Sequence, residues 1–305
     1  MATVTALVHT KNSALTLDSC LKSLRFADEI LVVDMESKDT TRAVAKKHGT
    51  HFLEHKDVGY VEPARQFGLA HVTSDWTLIV DADEEVPETL AKKLQGIIAD
   101  PNAADAYFLP RKNIVFEKWI EHTGWWPDYQ FRFFKSGTVS WPAEIHSQPK
   151  ISGRIAELTP SAEFALLHHN YQTIEQFVDR MNRYTTIEVD RGQNSTSTSS
   201  KHHHSINKIP TEFSNEFARR FFSGEGFLDG GHGLALSYLQ SMYQVIVELK
   251  HWQNAGFPEN RDSVKLVENV RKSLQDLQYW TTSYHIQRST GIQQLIWMVK
   301  RKFRW

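Results

Sequence analysis

A mostly parallel α/β sheet covered by helices is the fold class that the sequence predicts, on three observations. Short apolar runs alternate with stretches of helical periodicity over the first hundred residues, the order of repeated strand and helix units. Two of those runs end in acid, EILVVD at Asp34 and WTLIVDADEE at Asp81, and ligands in an open α/β sheet bind beyond the carboxyl ends of the strands. After about residue 105 the rhythm changes to aromatic-rich strand candidates and then to helix.

In order, TVTALVH reads as the first strand, and LTLDSCLKSL carries Leu17, Leu21 and Leu24 at helical spacing. EILVVD is the second strand, TTRAVAKKHG a helix closed by Gly49, and THFLEH the third strand. EPARQFGLAHV is the next helix and WTLIVDAD the fourth strand. PETLAKKLQGII follows with Pro87 near its first turn, where a missing N–H does no harm. AYFLPRK, QFRFFK and EFALLHH are later strand candidates in an α+β extension packed on the sheet. NSTSTSSKHHHS, from Asn194 to Ser205, reads as a polar loop with an idle sequon and three histidines. The expected division is an α/β half over 1–104, an extension over 105–192, a loop over 193–206 and a helical region over 207–305.

With 35 basic residues against 36 acidic, no global field marks a nucleic-acid binder. The single cysteine, Cys20, excludes an intramolecular disulfide framework. MATVTALVHTKNS lacks the order of a signal peptide, and no apolar run reaches the roughly 20 residues that span a bilayer. The expectation is a cytoplasmic protein, with any membrane contact peripheral, on the inner face of the plasma membrane.

The acidic strand end carries the chemistry. Asp81, Asp83, Glu84 and Glu85 repel one another unless a cation or hydrogen-bond donors compensate, and hard oxygen ligands at this density suit Mg²⁺ or Mn²⁺. The plain structural alternative is a solvated strand end leading into an acidic helix start. VVDMESKDTT, EPARQFGLAHVTSDWTLIVDADEE and the TKN after strand one decide between them. Together they resemble the nucleotide-sugar half of a family 2 glycosyltransferase, whose fold is of the GT-A type. GWWPDYQFRFFKSGTVSW with EIHSQP resembles the acceptor side of the lipopolysaccharide-core and cell-envelope branch, and RFFSGEGFLDGGHGLALSYLQSMYQ its C-terminal helical region.

The resemblance implies that Thr10, Asn12 and Asp34 form the base and ribose pocket, with Arg65 near the base or diphosphate. It implies that Asp81 faces the ribose and metal-bound water, that Asp83 binds the metal, and that His146 completes the metal shell. It further implies a nucleotide-sugar donor, with uridine diphosphate favoured, inversion at the anomeric carbon, and a glycan or lipid-linked acceptor. Ser13 and Ser147 stand where the family often has glutamate, and the second departure leaves the catalytic base open.

A base must be a carboxylate placed to meet an acceptor hydroxyl, which makes Asp128 the first candidate and Glu144 the second. Trp125 and Trp126 offer faces for an acceptor sugar, or for core packing. Arg132 is suited to clamp a diphosphate, or else lies on a solvated strand face. His168 and His169, ending an apolar run, read as structural, and Asp229 as a cap or turn before a helix near Leu234, or part of an acceptor cleft. Ile292, Leu295, Ile296, Val299 and Phe303 form one helical stripe beside Lys300, Arg301, Lys302 and Arg304, a pattern that fits an anionic membrane surface or a helix docked on the core. Nucleotidyl transfer, and a nucleotide- or glycan-binding protein without catalysis, are the alternative functions. A nicotinamide dehydrogenase is disfavoured because TKNSALT follows strand one where a glycine-rich loop is needed.

Overall fold

The computed structural model describes residues 2–142, 148–194 and 205–303. The chain divides into two compact units, one of residues 1–114 with 125–170 and one of 115–124 with 171–305. The strands are β1 (Val4–Thr10), β2 (Glu29–Asp34), β3 (His51–Glu54), β4 (Trp76–Asp81), β5 (Glu84–Glu85), β6 (Ala106–Val115), β7 (Lys118–Trp119), β8 (Asp128–Lys135), β9 (Val139–Ser140), β10 (Lys150–Ile151), β11 (Ile155–Glu157) and β12 (Leu166–Tyr171).

In the first unit β3, β2, β1 and β4 lie side by side, with β2 and β4 both parallel to β1 and β3 parallel to β2. Beyond β4 the order continues through β8, β6, β12 and β5, with β8 antiparallel to both β4 and β6. The expected strands one to four thus form, and QFRFFK becomes the antiparallel neighbour of the fourth.

Among the described residues the α-helices of this unit are α1 (Leu17–Ser23), α2 (Thr41–Lys47), α3 (Glu62–Leu69) and α4 (Glu88–Ala99). Successive strand residues point to opposite faces, and both faces are buried. Val4, Ala6, Val8, Val32, Leu78 and Val80 pack with Leu17, Cys20 and Leu21 of α1 and Leu90 and Leu94 of α4. Leu7, Leu31, Val33 and Ile79 form a second core with Ala64 of α3. Burial on both faces explains why these strands read as continuous apolar runs. Helix α3 lies so close to the sheet that a Cβ on Gly68 would stand 2.7 Å from Leu7 Cδ1. Pro87 occupies the N-cap position of α4, one residue outside the expected first turn.

The second unit is helical, with α5 (Ile174–Asn194), α6 (Ile209–Ala218), α7 (Gly230–Asn254), α8 (Ser263–Arg288) and α9 (Gly291–Phe303). Helix α6 packs on α7 and α8, and α9 folds back on α8. Its interior is aromatic: Phe217 stacks on Phe221 at 5.3 Å between ring centroids and meets Tyr238 at 4.8 Å, while Phe222 stacks on Trp280 at 6.1 Å. Helix α7 starts at Gly230, four residues before the start near Leu234 that the sequence suggests. No described helix is long and apolar enough to cross a membrane. Of the polar loop, Asn194 ends α5 and Ser205 caps a short 3₁₀ turn, while 195–204 lie outside the described residues.

Candidate active site

The carboxyl edge of the parallel strands gathers the expected residues. Strand β1 lies between β2 and β4, so Thr10 is in register with Asp34 and His9 with Asp81. Asp34 is buried and receives both donors of Ser37, N to Oδ2 at 2.9 Å and Oγ to Oδ1 at 2.5 Å. Asn12, at φ 51°, is a residue type that tolerates the left-handed region. It receives Lys38 N on Oδ1 at 2.8 Å and donates its own N–H to Ser37 Oγ at 2.7 Å. The buried Thr10 hydroxyl has no hydrogen-bond partner among the described residues, leaving a polar atom available at this edge.

At the end of β4 the chain turns so that Glu84 Oε2 accepts the N–H of Asp81 at 3.0 Å. Two-residue β5 then pairs antiparallel with β12, setting Glu84 opposite His168 and Glu85 opposite Leu167. His169 donates its N–H to the Asp83 carbonyl at 2.9 Å, so the acidic turn is stitched to the last strand.

Guanidinium groups compensate this acid. Arg132 on β8 is buried and donates through Nη2 to Asp81 Oδ2 and, at 2.9 Å, to Glu84 Oε1. Arg111 on β6 reaches Glu84 Oε1 at 3.1 Å through Nη1, and Arg65 on α3 comes within 3.6 Å of Asp81 while lying 4.7 Å over the Trp141 ring. Burial by itself would raise the Asp81 carboxyl, but the charges of Arg132, Arg65 and Arg111 outweigh it and hold the group well below the usual carboxylate range. Burial would lower Arg132, yet Asp81 and Glu84 hold it above its ordinary value. His9, buried beneath this network, is pushed down to about 3 by desolvation and then by the charge of Arg65. Arg132 therefore sits neither on a solvated face nor open for a bidentate clamp, because its Nη2 is engaged by two protein carboxylates. Arg111 and His9 are the members of this network that sequence reasoning missed. Only the register of β6 and the burial of β1 reveal them.

Asp128 begins β8 opposite Arg111. Its carboxylate accepts from Arg111 Nε at 2.8 Å and Nη2 at 2.7 Å, from Asn113 Nδ2 at 3.0 Å, and from Gln130 Nε2 at 2.7 Å. Burial raises Asp128, but the Arg111 charge and these donors win and keep it below its ordinary value. Trp125 and Trp126 are half-buried, and the Trp125 carbonyl accepts from Asn113 Nδ2 at 3.1 Å. Glu144 and His146 lie outside the described residues.

His168, read from sequence as structural, turns out to face Asp83. Its Nδ1 is 2.6 Å from Asn113 Oδ1, and its Nε2 is 3.5 Å from Asp83 Oδ2. Asn113 spends its Nδ2 donors on Trp125 and Asp128, so Oδ1 is the acceptor and His168 Nδ1 carries the hydrogen. Nε2 is thereby directed to the Asp83 carboxylate on the other side of the ring. Among the described residues no group of three His, Cys, Asp or Glu side chains is placed to hold a metal. Mg²⁺ is typically held by one or two carboxylates with the remaining positions left to phosphate oxygens and water, a donor set to which Asp83 would contribute its carboxylate.

A helix-covered sheet of this order, with an acidic turn at the carboxyl edge of β4, puts its charged residues where open α/β sheets bind their ligands. Residues 5–149 match the family model Glycosyl transferase family 2. An uncharacterized glycosyltransferase of Rickettsia felis is 34% identical over 103 residues, 33% of this chain and 36% of the relative. The chain thus spans about a third of the length of that relative. The lipopolysaccharide core biosynthesis glycosyltransferase LpsC of Rhizobium meliloti is 21% identical over 200 residues, 62% of this chain and 71% of LpsC. Among solved structures, residues 1–349 of S. aureus TarS in complex with UDP share 14% identity at a TM-score of 0.44, over 83% of this chain and 92% of that one.

Proposed function

We propose that the protein moves a sugar from a nucleoside-diphosphate sugar, UDP-linked by the family resemblance, to a hydroxyl of a cell-envelope glycan or lipid-linked acceptor, with inversion. The observation that carries the reading is the acidic turn Asp81–Glu85 at the carboxyl edge of β4, inside the segment that matches family 2. The similarity to LpsC supports the acceptor class.

Thr10, Asn12 and Asp34 line the base and ribose end, with Arg65 toward the diphosphate. Asp83 would hold a divalent cation, Mg²⁺ or Mn²⁺, with His168 beside it, and His146 is the further ligand that the resemblance implies. When bound, the cation supplies Lewis-acid stabilisation of the leaving diphosphate. Asp81 is kept ionised by Arg132 and Arg65 and turned toward the ribose. Asp128 accepts the acceptor's proton as that oxygen bonds to the anomeric carbon and the bond to the diphosphate breaks, with Glu144 as the second candidate. Trp125 and Trp126 present their faces to the acceptor. Helix α9 lays its apolar stripe on the cytoplasmic membrane surface, which suits a lipid-linked acceptor.

Calorimetry with a panel of nucleoside diphosphates, in Mn²⁺, in Mg²⁺ and in chelator, tests the donor half. One nucleotide should bind in a metal-dependent way, and Asp83→Asn should weaken it. Binding of no nucleotide under any condition overturns the reading. Release of pyrophosphate in place of the nucleoside diphosphate during turnover marks nucleotidyl transfer.

A further inference from the structure

The segment Val115–Gly124 interrupts the first unit between Ile114 and Trp125 but belongs to the helical unit. There it is held by GEGFLDGGH, residues 224–232. Asp229 is buried at 3% exposure and occupies the N-cap position of α7, yet its side chain makes no capping bond to that helix. Its carboxylate is spent on the interrupting segment. Oδ2 accepts His122 N at 2.9 Å, and Oδ1 accepts His122 Nδ1 at 3.1 Å and Glu121 N at 3.4 Å. The Asp229 carbonyl accepts Lys118 Nζ at 2.8 Å.

Further bonds close the bracket. Thr123 donates its N–H to Gly224 O at 2.7 Å, its carbonyl accepts Arg220 Nη1 at 2.8 Å, and His232 Nε2 reaches Phe116 O at 3.0 Å. A Cβ on Gly226 would stand 2.5 Å from Thr123 Cγ2, so the two chains touch where only glycine fits. Phe116, Glu117 and Thr123 all have left-handed φ, at 50°, 66° and 60°. Non-glycine residues persist there only when their surroundings over-determine them. A buried carboxylate turned away from its own helix onto consecutive amides is such a determinant.

We propose that Asp229 is a positioning residue: through His122 and Thr123 it fixes the chain that leads directly into Trp125, Trp126 and Asp128. The functional part rests on the reading of those three as the acceptor side, and the positioning part stands without it. The test uses the full chain. Hydrogen exchange is followed by mass spectrometry, and 5-fluorotryptophan resonances are assigned to Trp125 and Trp126 through their Phe variants.

In Asp229→Asn, amides 121–130 should exchange at least tenfold faster and both resonances should shift or broaden. Amides of β1 and β4 and the affinity for UDP with Mn²⁺ should stay within twofold. His122→Phe should reproduce the effect, and His122→Asn, which keeps a donor near Nδ1, should restore most of it. The rate of UDP-glucose hydrolysis should fall at least tenfold in the two disruptive variants. Faster exchange confined to 121–123 or to the start of α7, with unchanged resonances, overturns positioning and leaves a structural bracket. Should the wild type bind no UDP, the glycosyltransferase reading fails, while exchange and resonances still decide the bracket.

Discussion

Asp83 and His168 face each other across the pairing of β5 with β12, with Nε2 of the histidine 3.5 Å from Oδ2 of the aspartate and Nδ1 committed to Asn113. Eighty-odd residues of chain separate them, and a two-residue strand brings them together. If Asp83 takes a metal as proposed, His168, with Asn113 behind it, lies within reach of the same ion.

His168→Gln should therefore weaken Mn²⁺-dependent UDP binding by more than about tenfold, and Asn113→Ala by about 10- to 100-fold, the usual effect of removing the partner that orients a metal-ligating histidine. Titration calorimetry with and without chelator measures both. Unchanged metal dependence in His168→Gln would leave His146 as the only histidine ligand to pursue.

Arg132 and Glu84 form a buried pair, with side chains 3% and 0% exposed. Removing one partner leaves an uncompensated buried charge, so Arg132→Met should destabilise the protein by about 3–5 kcal/mol. Adding Glu84→Gln should recover part of that loss, because it removes one of the charges that Arg132 balanced. Urea unfolding of the two single variants and the double variant gives the coupling; additive losses would show that the pair does not act as a unit.

His9 provides a pH test with a definite sign. Its folded value lies near 3 against 6.5 for the exposed group, so the unfolded chain binds a proton between those values that the folded chain does not. Stability contributed by His9 should then fall with decreasing pH across that window, by about 1.4 kcal/mol per pH unit. In His9→Asn that slope should be missing between pH 6 and pH 4. Equal slopes for wild type and variant in urea titrations would place the histidine in water.

Ile292, Leu295 and Val299 of α9 are 78%, 61% and 55% exposed, beside Lys300, Arg301 and Lys302. The chain should float with vesicles containing anionic phospholipid, less with neutral ones, and a form ending before Gly291 should lose most of this binding. Equal partitioning of the two forms would remove the membrane from the proposal.

Much of the fold was legible because the parallel strands are buried on both faces and punctuated by acid, glycine and proline. Asp81 and Asp83 were legible for the same reason, as charge where an apolar run should have continued. Their compensation was not. Arg132 looked like an alternating strand residue, and nothing local tells that β8 runs antiparallel beside β4 and carries it inward. His168 closed an apolar run and looked structural, since its use depends on the register of β12 against β5. The start of α7 is misplaced because Gly230, Gly231 and Gly233 are poor helix formers, and the helix nonetheless begins there without a capping bond from the Asp229 side chain.

The stitching of the acidic turn to β12 also sets an order of assembly. All of its acids lie within Asp81–Glu85, whereas two of the three arginines that balance them, and the histidine beside Asp83, are made later, at Arg111, Arg132 and His168. A nascent chain that has just completed β4 holds concentrated negative charge with Arg65 as its nearest counter-ion among these groups. The acidic edge thus gains its last partner only when β12 is made, and a ribosome-bound chain halted before residue 166 should acquire the β1–β4 layer while lacking the histidine that faces Asp83.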